Sequence, residues 1–144
     1  MKKELLMIAL CMGMIACGNS NAKNESKAEN HVKSDVVEVI YFHGKQRCAT
    51  CMAIEKNTKE LVESAFADKL KSGKLVFKSV DITENEELAD KYEVSWSSLI
   101  IVDYDKYGKE QAKNMTEFGF ANARTASDNF KKGIKEQINR MLNN

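Results

Sequence analysis

Apolar residues along the chain fall into runs whose length and period change several times, and each change predicts an element. Leu5 to Ala16 is a nearly continuous apolar run preceded by Lys2 and Lys3. From Asn19 to about Ser34 the chain is polar, rich in Asn, Ser, Lys and Glu, and has no apolar period. That stretch predicts a flexible tether, with His31 a solvated residue within it. Val36 to Phe42 is β-branched and aromatic almost without interruption, the pattern of a central strand buried on both faces, with Tyr41 and Phe42 in the core. His43 to Arg47 is a short connection. Beyond it, from Cys48 to about Leu70, Ile54, Leu61 and Ala65 recur at helical spacing, with Val62, Phe66 and Leu70 on the adjoining row. Ser72-Gly73 closes this helix.

Leu75 to Ile82 alternates in part and predicts a second strand. Thr83, with Glu86 three residues on, has the form of a capping box opening a short acidic helix to about Tyr92. Ser98 to Tyr104 is a third, nearly continuous apolar strand, and Asp105-Lys106-Tyr107-Gly108 is a turn. A fourth strand is expected over roughly Glu110 to Phe120, with Met115 and Phe118 facing the core. Phe130, Ile134, Ile138 and Met141 define an amphipathic closing helix beginning at Ser127 or Asp128. The order is βαβαββα. Its crossover makes the first two strands parallel, and its tight turn makes the last two antiparallel. The expectation is an α/β domain over residues 35–144, a mixed central sheet flanked by helices.

Length and charge narrow the picture. A chain of 144 residues holds one such domain plus targeting residues, and a formal net charge of +1 gives no electrostatic case for nucleic acid. The Leu5–Ala16 run is too short to span a bilayer. With its two lysines it predicts a secretory signal peptide over residues 1–16. Met14-Ile15-Ala16-Cys17-Gly18 resembles a bacterial lipobox, although leucine or another aliphatic is usual where Met14 stands. In that motif Cys17 becomes the first mature residue and carries lipid on its sulfur and its amine. Cys11 is then discarded, residues 17–34 become a lipid-anchored tether, and several acyl chains hold the protein on a membrane without crossing it. The expected place is the cell envelope, periplasm-facing or at the surface, where conditions are oxidising and the remaining thiols can pair.

Those thiols lie in Cys48-Ala49-Thr50-Cys51, where the first strand gives way to the long helix. The i,i+3 spacing puts both sulfurs on one face of the first turn. Unpaired N–H groups and the positive end of the helix favour thiolate at the first cysteine. Arg47 adds a full positive charge if its side chain turns towards the sulfur. His43, five residues before Cys48, is either a base or proton relay for Cys51 or a loop histidine bonded to backbone. Trp96, in the loop expected opposite the cysteines, is either a substrate wall or packing at the strand entrance. A purely structural disulfide is the plainer reading, yet so short a ring stabilises by only roughly 2 kcal/mol, against ~3 for a fifteen-residue loop. Two thiolates and His43 make three ligands where tetrahedral zinc takes four, so no zinc site is expected, while a soft ion held by two or three ligands stays open. No G-x-G-x-x-G is present, and no cofactor is expected.

Cys48-Ala49-Thr50-Cys51 after the Val36–Phe42 strand resembles the thioredoxin fold over roughly Val36 to Leu142. More narrowly, Tyr41-Phe42-His43-Gly44-Lys45-Gln46-Arg47-Cys48-Ala49-Thr50-Cys51 is similar to a group of bacterial thioredoxin-like lipoproteins. Some of these are labelled an ArsF-type family, a nitrophenyl-compound nitroreductase subunit from arsenic-resistance clusters. The resemblance implies that Cys48 attacks and Cys51 resolves. The family label implies a reductive detoxification setting, and the placement of the cysteines with the lipobox leads us to expect a membrane electron-donor protein and a disulfide-containing or thiol-reactive substrate as partners. Three departures stand out. Arg47 replaces the usual tryptophan, Ala-Thr replaces Gly-Pro between the cysteines, and the chain has no proline at all. Ser98 therefore stands where a cis-proline normally faces the cysteines. A cis bond before a non-proline residue costs roughly 2.5–4 kcal/mol, so a trans Ser97–Ser98 peptide and a looser docking loop are expected. The expected function is a membrane-tethered, extracytoplasmic thiol–disulfide oxidoreductase. Its rivals are a dithiol module that binds arsenite or another soft metal without turnover, and a non-redox interaction domain.

Overall fold

The computed structural model describes residues 36–144. The segments expected as signal peptide and tether, with Cys11, Cys17 as the expected lipidation site, and His31, lie outside the described residues. The elements are β1 (Val37–His43), α1 (Ala49–Ala65), α2 (Ala67–Lys71), β2 (Leu75–Asp81) and α3 (Glu86–Lys91). They continue with β3 (Ser98–Tyr104), β4 (Glu110–Asn114), α4 (Thr116–Asn122) and α5 (Ser127–Leu142). The four strands lie in the order β2-β1-β3-β4. β1 runs parallel to β2 and antiparallel to β3, and β3 runs antiparallel to β4. No helix among the described residues is long and apolar enough to cross a membrane.

The unbroken apolar character of β1 and β3 follows from their central positions. Each is covered on both faces, and six of seven residues in each are buried. Alternation then sorts the side chains. Val37, Val39 and Tyr41 join Leu99 and Ile101 on one face, against Ile54, Leu61 and Val62 of α1 and Phe130, Ile134 and Ile138 of α5. Ile40, Phe42, Ile100 and Val102 point to the other face, where Val80, Ala89 and Val94 form a smaller cluster. On that smaller face Lys91 pairs with Glu110, and the Tyr104 hydroxyl donates to the same carboxylate at 3.3 Å.

Three elements depart from the sequence expectation. The first helix is not continuous to Leu70. It stops at Ala65, Phe66 takes φ −130° and ψ 25°, and α2 follows as a separate turn. Ser64 donates back to the Glu60 carbonyl at 2.6 Å, competing with the helix ladder just before the break. The kink puts Phe66 in the core at 5% exposure. Thr83 does not cap α3. Its N–H and hydroxyl both donate to the Asp81 carboxylate in a local turn, and Asn85 takes the N-cap position.

The largest departure follows β4, which ends at Asn114 rather than near Phe120. The Asn114 side-chain oxygen accepts from the Thr116 N–H at 2.9 Å, and the Thr116 hydroxyl accepts from the Leu99 N–H at 3.0 Å. The chain turns there into α4, which delivers Phe118 and Phe120 from a helix instead of a strand. Asn57 of α1 donates to the Ala123 carbonyl at 2.8 Å, tying the far end of α4 back to the helix that carries the cysteines.

Candidate redox site

Cys48 is the N-cap of α1, with extended backbone at φ −77° and ψ 161°. Its sulfur accepts from the Cys51 N–H at 3.0 Å, doing with Sγ what a serine or aspartate oxygen does at other helix starts. The Cys48 carbonyl accepts the first helical bond, from Met52 N–H at 3.0 Å. No acidic residue lies in the first turn, so nothing there cancels the positive end of the helix. The two cysteines are joined as a disulfide, with Cα atoms 5.0 Å apart. Cys48 is exposed and Cys51 is 7% exposed, so an incoming group meets Cys48.

Tyr41 of β1 sits directly beneath this turn. Fully buried, it donates its hydroxyl to the Cys51 carbonyl at 2.8 Å. With that proton committed, the Ser97 hydroxyl is the donor in its hydrogen bond to the phenol oxygen. Burial raises the phenol above its ordinary pKa of 10.0 and Glu55 adds to the rise, against the lowering effects of Ser97 and Arg47. Tyr41 is therefore a neutral donor at physiological pH. One side chain thus connects the cysteine helix to the loop that enters β3.

That loop is where Ser98 and Trp96 were expected to face the cysteines. Ser97 and Ser98 are both buried, and the peptide between them is trans, as are all peptides among the described residues. The Ser98 hydroxyl donates to the Trp96 carbonyl at 3.1 Å, closing the loop on itself. Trp96 is 57% exposed, and its ring lies 5.1 Å from that of Phe120. It is thus a surface aromatic held by α4 rather than a core residue. An open cavity of about 400 Å³ is lined by Trp96, Ser98, Asn114 and Thr116, among others. Met52, next to Cys51 on α1, is a second exposed large apolar side chain.

Arg47 does not simply lend its charge to the sulfur. Its Nη1 lies 2.8 Å from Glu55 Oε2, and its guanidinium sits 5.9 Å from the centre of the Tyr41 ring. Glu55 Oε1 accepts from the Ser79 hydroxyl of β2 at 2.5 Å. Burial pushes the Glu55 carboxyl up. The Ser79 and Arg47 hydrogen bonds, with the charges of Arg47 and His43, outweigh it and hold the group below its ordinary value. His43 ends β1, and its Nδ1 donates to the Gly44 carbonyl at 3.1 Å, with the ring 6.1 Å from Tyr41. Among the described residues, no three His, Cys, Asp or Glu side chains gather as a metal centre.

Sequence reasoning passed over Glu55, Ser79 and Phe120. Glu55 had a signal, since its i+4 spacing from Cys51 puts it on that residue's side of the helix. Ser79 and Phe120 had none, because only the register of β2 and the existence of α4 bring them here.

No family model matches the chain, and no curated protein matches it in sequence. Solved structures match its fold. The Trx4 domain of ERdj5 superposes with a TM-score of 0.50 at 15% identity, covering 76% of this chain and 82% of that one. The thioredoxin of Fasciola hepatica gives 0.47 at 21% identity, covering 76% and 84%. Form II of ERdj5 gives 0.51 at 10% identity, covering 76% of this chain and 13% of that one. At such identities the likeness is one of architecture: the four-stranded mixed sheet and its flanking helices are a thioredoxin fold.

Proposed function

We propose that this thioredoxin-fold protein is a thiol–disulfide oxidoreductase, held outside the cytoplasm on a membrane by lipid on Cys17. The observation that carries the reading is the asymmetry of the pair: an exposed Cys48 capping a helix, disulfide-bonded to a buried Cys51 one turn in. In the reduced protein the Cys48 thiolate attacks a substrate disulfide and expels one substrate thiolate. A mixed disulfide then joins Cys48 to the other half of the substrate. The Cys51 thiol loses its proton, attacks the Cys48 sulfur, releases the second substrate thiolate and closes the Cys48–Cys51 disulfide. Two electrons pass to the substrate, and a membrane electron-donor protein returns them.

Trp96 supplies an exposed apolar wall beside the buried Ser98, and His43 stands within the same polar cluster as Glu55. The resemblance of the Tyr41–Cys51 stretch to ArsF-type lipoproteins supports reductive detoxification as the setting.

The test is turnover with a disulfide substrate in two variants. Cys48→Ser abolishes it, whereas Cys51→Ser accumulates a covalent mixed disulfide that thiol reductants release. Equal activity in the two variants overturns the reading. Stoichiometric capture of arsenite by the dithiol with no turnover replaces it with a binding module. For the anchor, Cys17→Ser abolishes incorporation of labelled fatty acid and releases the protein from the membrane fraction.

A further inference from the structure

Arg47 presents an unusual arrangement for a cation on the residue before an exposed cysteine. Its Nη1 is engaged by Glu55, while Nε and Nη2 are shielded from solvent and find no acceptor among the described residues. Three N–H bonds are thereby left without a partner at the residue that precedes Cys48. Glu55 is held from two sides, by Arg47 and by Ser79, at the i+4 position from Cys51. The pair is largely withdrawn from water, with side-chain exposures of 28% and 23%, so each charge acts on its surroundings with less screening than at an open surface.

The sulfurs are uncharged when joined as the disulfide. Reduction places a negative charge at Cys48 whenever its thiol ionises. A nearby cation then favours the reduced form, and a nearby anion disfavours it.

We propose that Arg47 and Glu55 form a potential-setting pair of opposed sign. Arg47, with donors in reserve, stabilises the Cys48 thiolate; Glu55 holds the guanidinium in place and cancels part of its effect. The inference rests on the reading of Cys48–Cys51 as a redox couple. Neither residue is a catalytic residue in it; both are positioning residues that act through the sulfur. Other charges face the same cluster: His43 couples to Glu55 and to Asp81, and Lys45 couples to Asp81. They are present in every variant below, and all variants are compared at one fixed pH.

The experiment is equilibration with a glutathione redox buffer at pH 7 of the wild-type protein, Glu55→Gln, Arg47→Gln and the double variant. Glu55→Gln leaves Arg47 uncompensated and shifts the equilibrium towards the dithiol by about tenfold, which is a potential about 30 mV more positive. Arg47→Gln leaves Glu55 uncompensated and shifts it towards the disulfide by a similar factor. The double variant returns to within about twofold of wild type, the behaviour of two coupled groups rather than independent ones. Arg47→Lys, which keeps the charge, stays closer to wild type than Arg47→Gln. Shifts of the same sign in both single variants overturn the inference, because loss of structural support does not reverse with the sign of the removed charge. Shifts below twofold in both overturn it as well. If Arg47→Gln does not fold, Glu55→Gln alone decides the matter by the sign of its shift. Absence of any reversible couple in the wild-type protein overturns the redox reading itself, and this inference with it.

Discussion

Tyr41→Phe removes a single oxygen from the middle of the site, and its effect follows from what that oxygen touches. The ring is fully buried, and phenylalanine keeps its shape, so no cavity term arises. The hydroxyl donates to the Cys51 carbonyl at 2.8 Å, and removing such a bond costs about 1 kcal/mol. Cys51 lies within α1, where its carbonyl keeps its helical partner and is not stranded. Ser97 is different. It is a buried residue whose hydroxyl gives its proton to the phenol, so the variant strands that group at a further cost of about 1 kcal/mol. The expected loss is about 2 kcal/mol, a fall in Tm of roughly 8 °C for a domain of this size.

Thermal and urea unfolding of Tyr41→Phe, Ser97→Ala and the double variant measure it. Once the phenol is gone, removing the Ser97 hydroxyl also removes the stranded group. The double variant is therefore less destabilised than the sum of the two singles. A Tyr41→Phe variant within about 0.5 kcal/mol of wild type, or strictly additive singles, refutes the assignment of Tyr41 as the connection between helix and loop.

Three further outcomes are expected. A Cβ at Gly133 would fall 2.4 Å from the Phe118 ring, which stacks on Phe130, so Gly133→Ala destabilises by about 1 kcal/mol once its helix-propensity gain is subtracted; in a Phe118→Leu background, denaturant titration finds the same change neutral or stabilising. Glu55 has a lowered carboxyl pKa, so its contribution to stability is present above its ordinary value of 4.5 and is lost as pH falls through the lowered one. Unfolding of Glu55→Gln across this acid range therefore shows a shallower decline than wild type. Burial, with the charges of Glu38 and Glu110, pushes Tyr104 up to about 12. Its contribution is whole below pH 10 and lost as pH rises to about 12, so Tyr104→Phe flattens the alkaline limb over that interval.

The sequence disclosed the fold wherever the local pattern and the tertiary environment agree. β1 and β3 read as central strands because burial on both faces demands uninterrupted apolar residues, and α5, expected to begin at Ser127 or Asp128, begins at Ser127 with its stripe facing one core. The Cys48–Cys51 turn was legible for the same reason, a strand running into an amphipathic helix. Where a side chain redirected the backbone, the pattern misled. Met115, Phe118 and Phe120 fit a strand as well as a helix, and only the Asn114 and Thr116 hydrogen bonds decide between them. Phe66 kept the helical period while sitting at a break in the helix. Charges were the least legible. Glu55 has the composition of a solvated helix face, and its partners Arg47 and Ser79 lie 8 positions before and 24 positions after it, too far apart for any local pattern to join them.

The unequal cores on the two faces of the sheet give the molecule two clocks. The larger face is closed by α1 and α5 with α4 beside them, whereas the smaller rests on α3, six residues long, and a handful of side chains. Local opening needs only the contacts it breaks, so amides of α3 and its approach to Val94 exchange with solvent deuterium through partial opening. Amides of β1 and α5 wait for the whole domain to unfold. The dithiol is mounted on the slow side. The loop that brings Ser97 to Tyr41 is entered from the fast side, so half of the site breathes against a half that stands still.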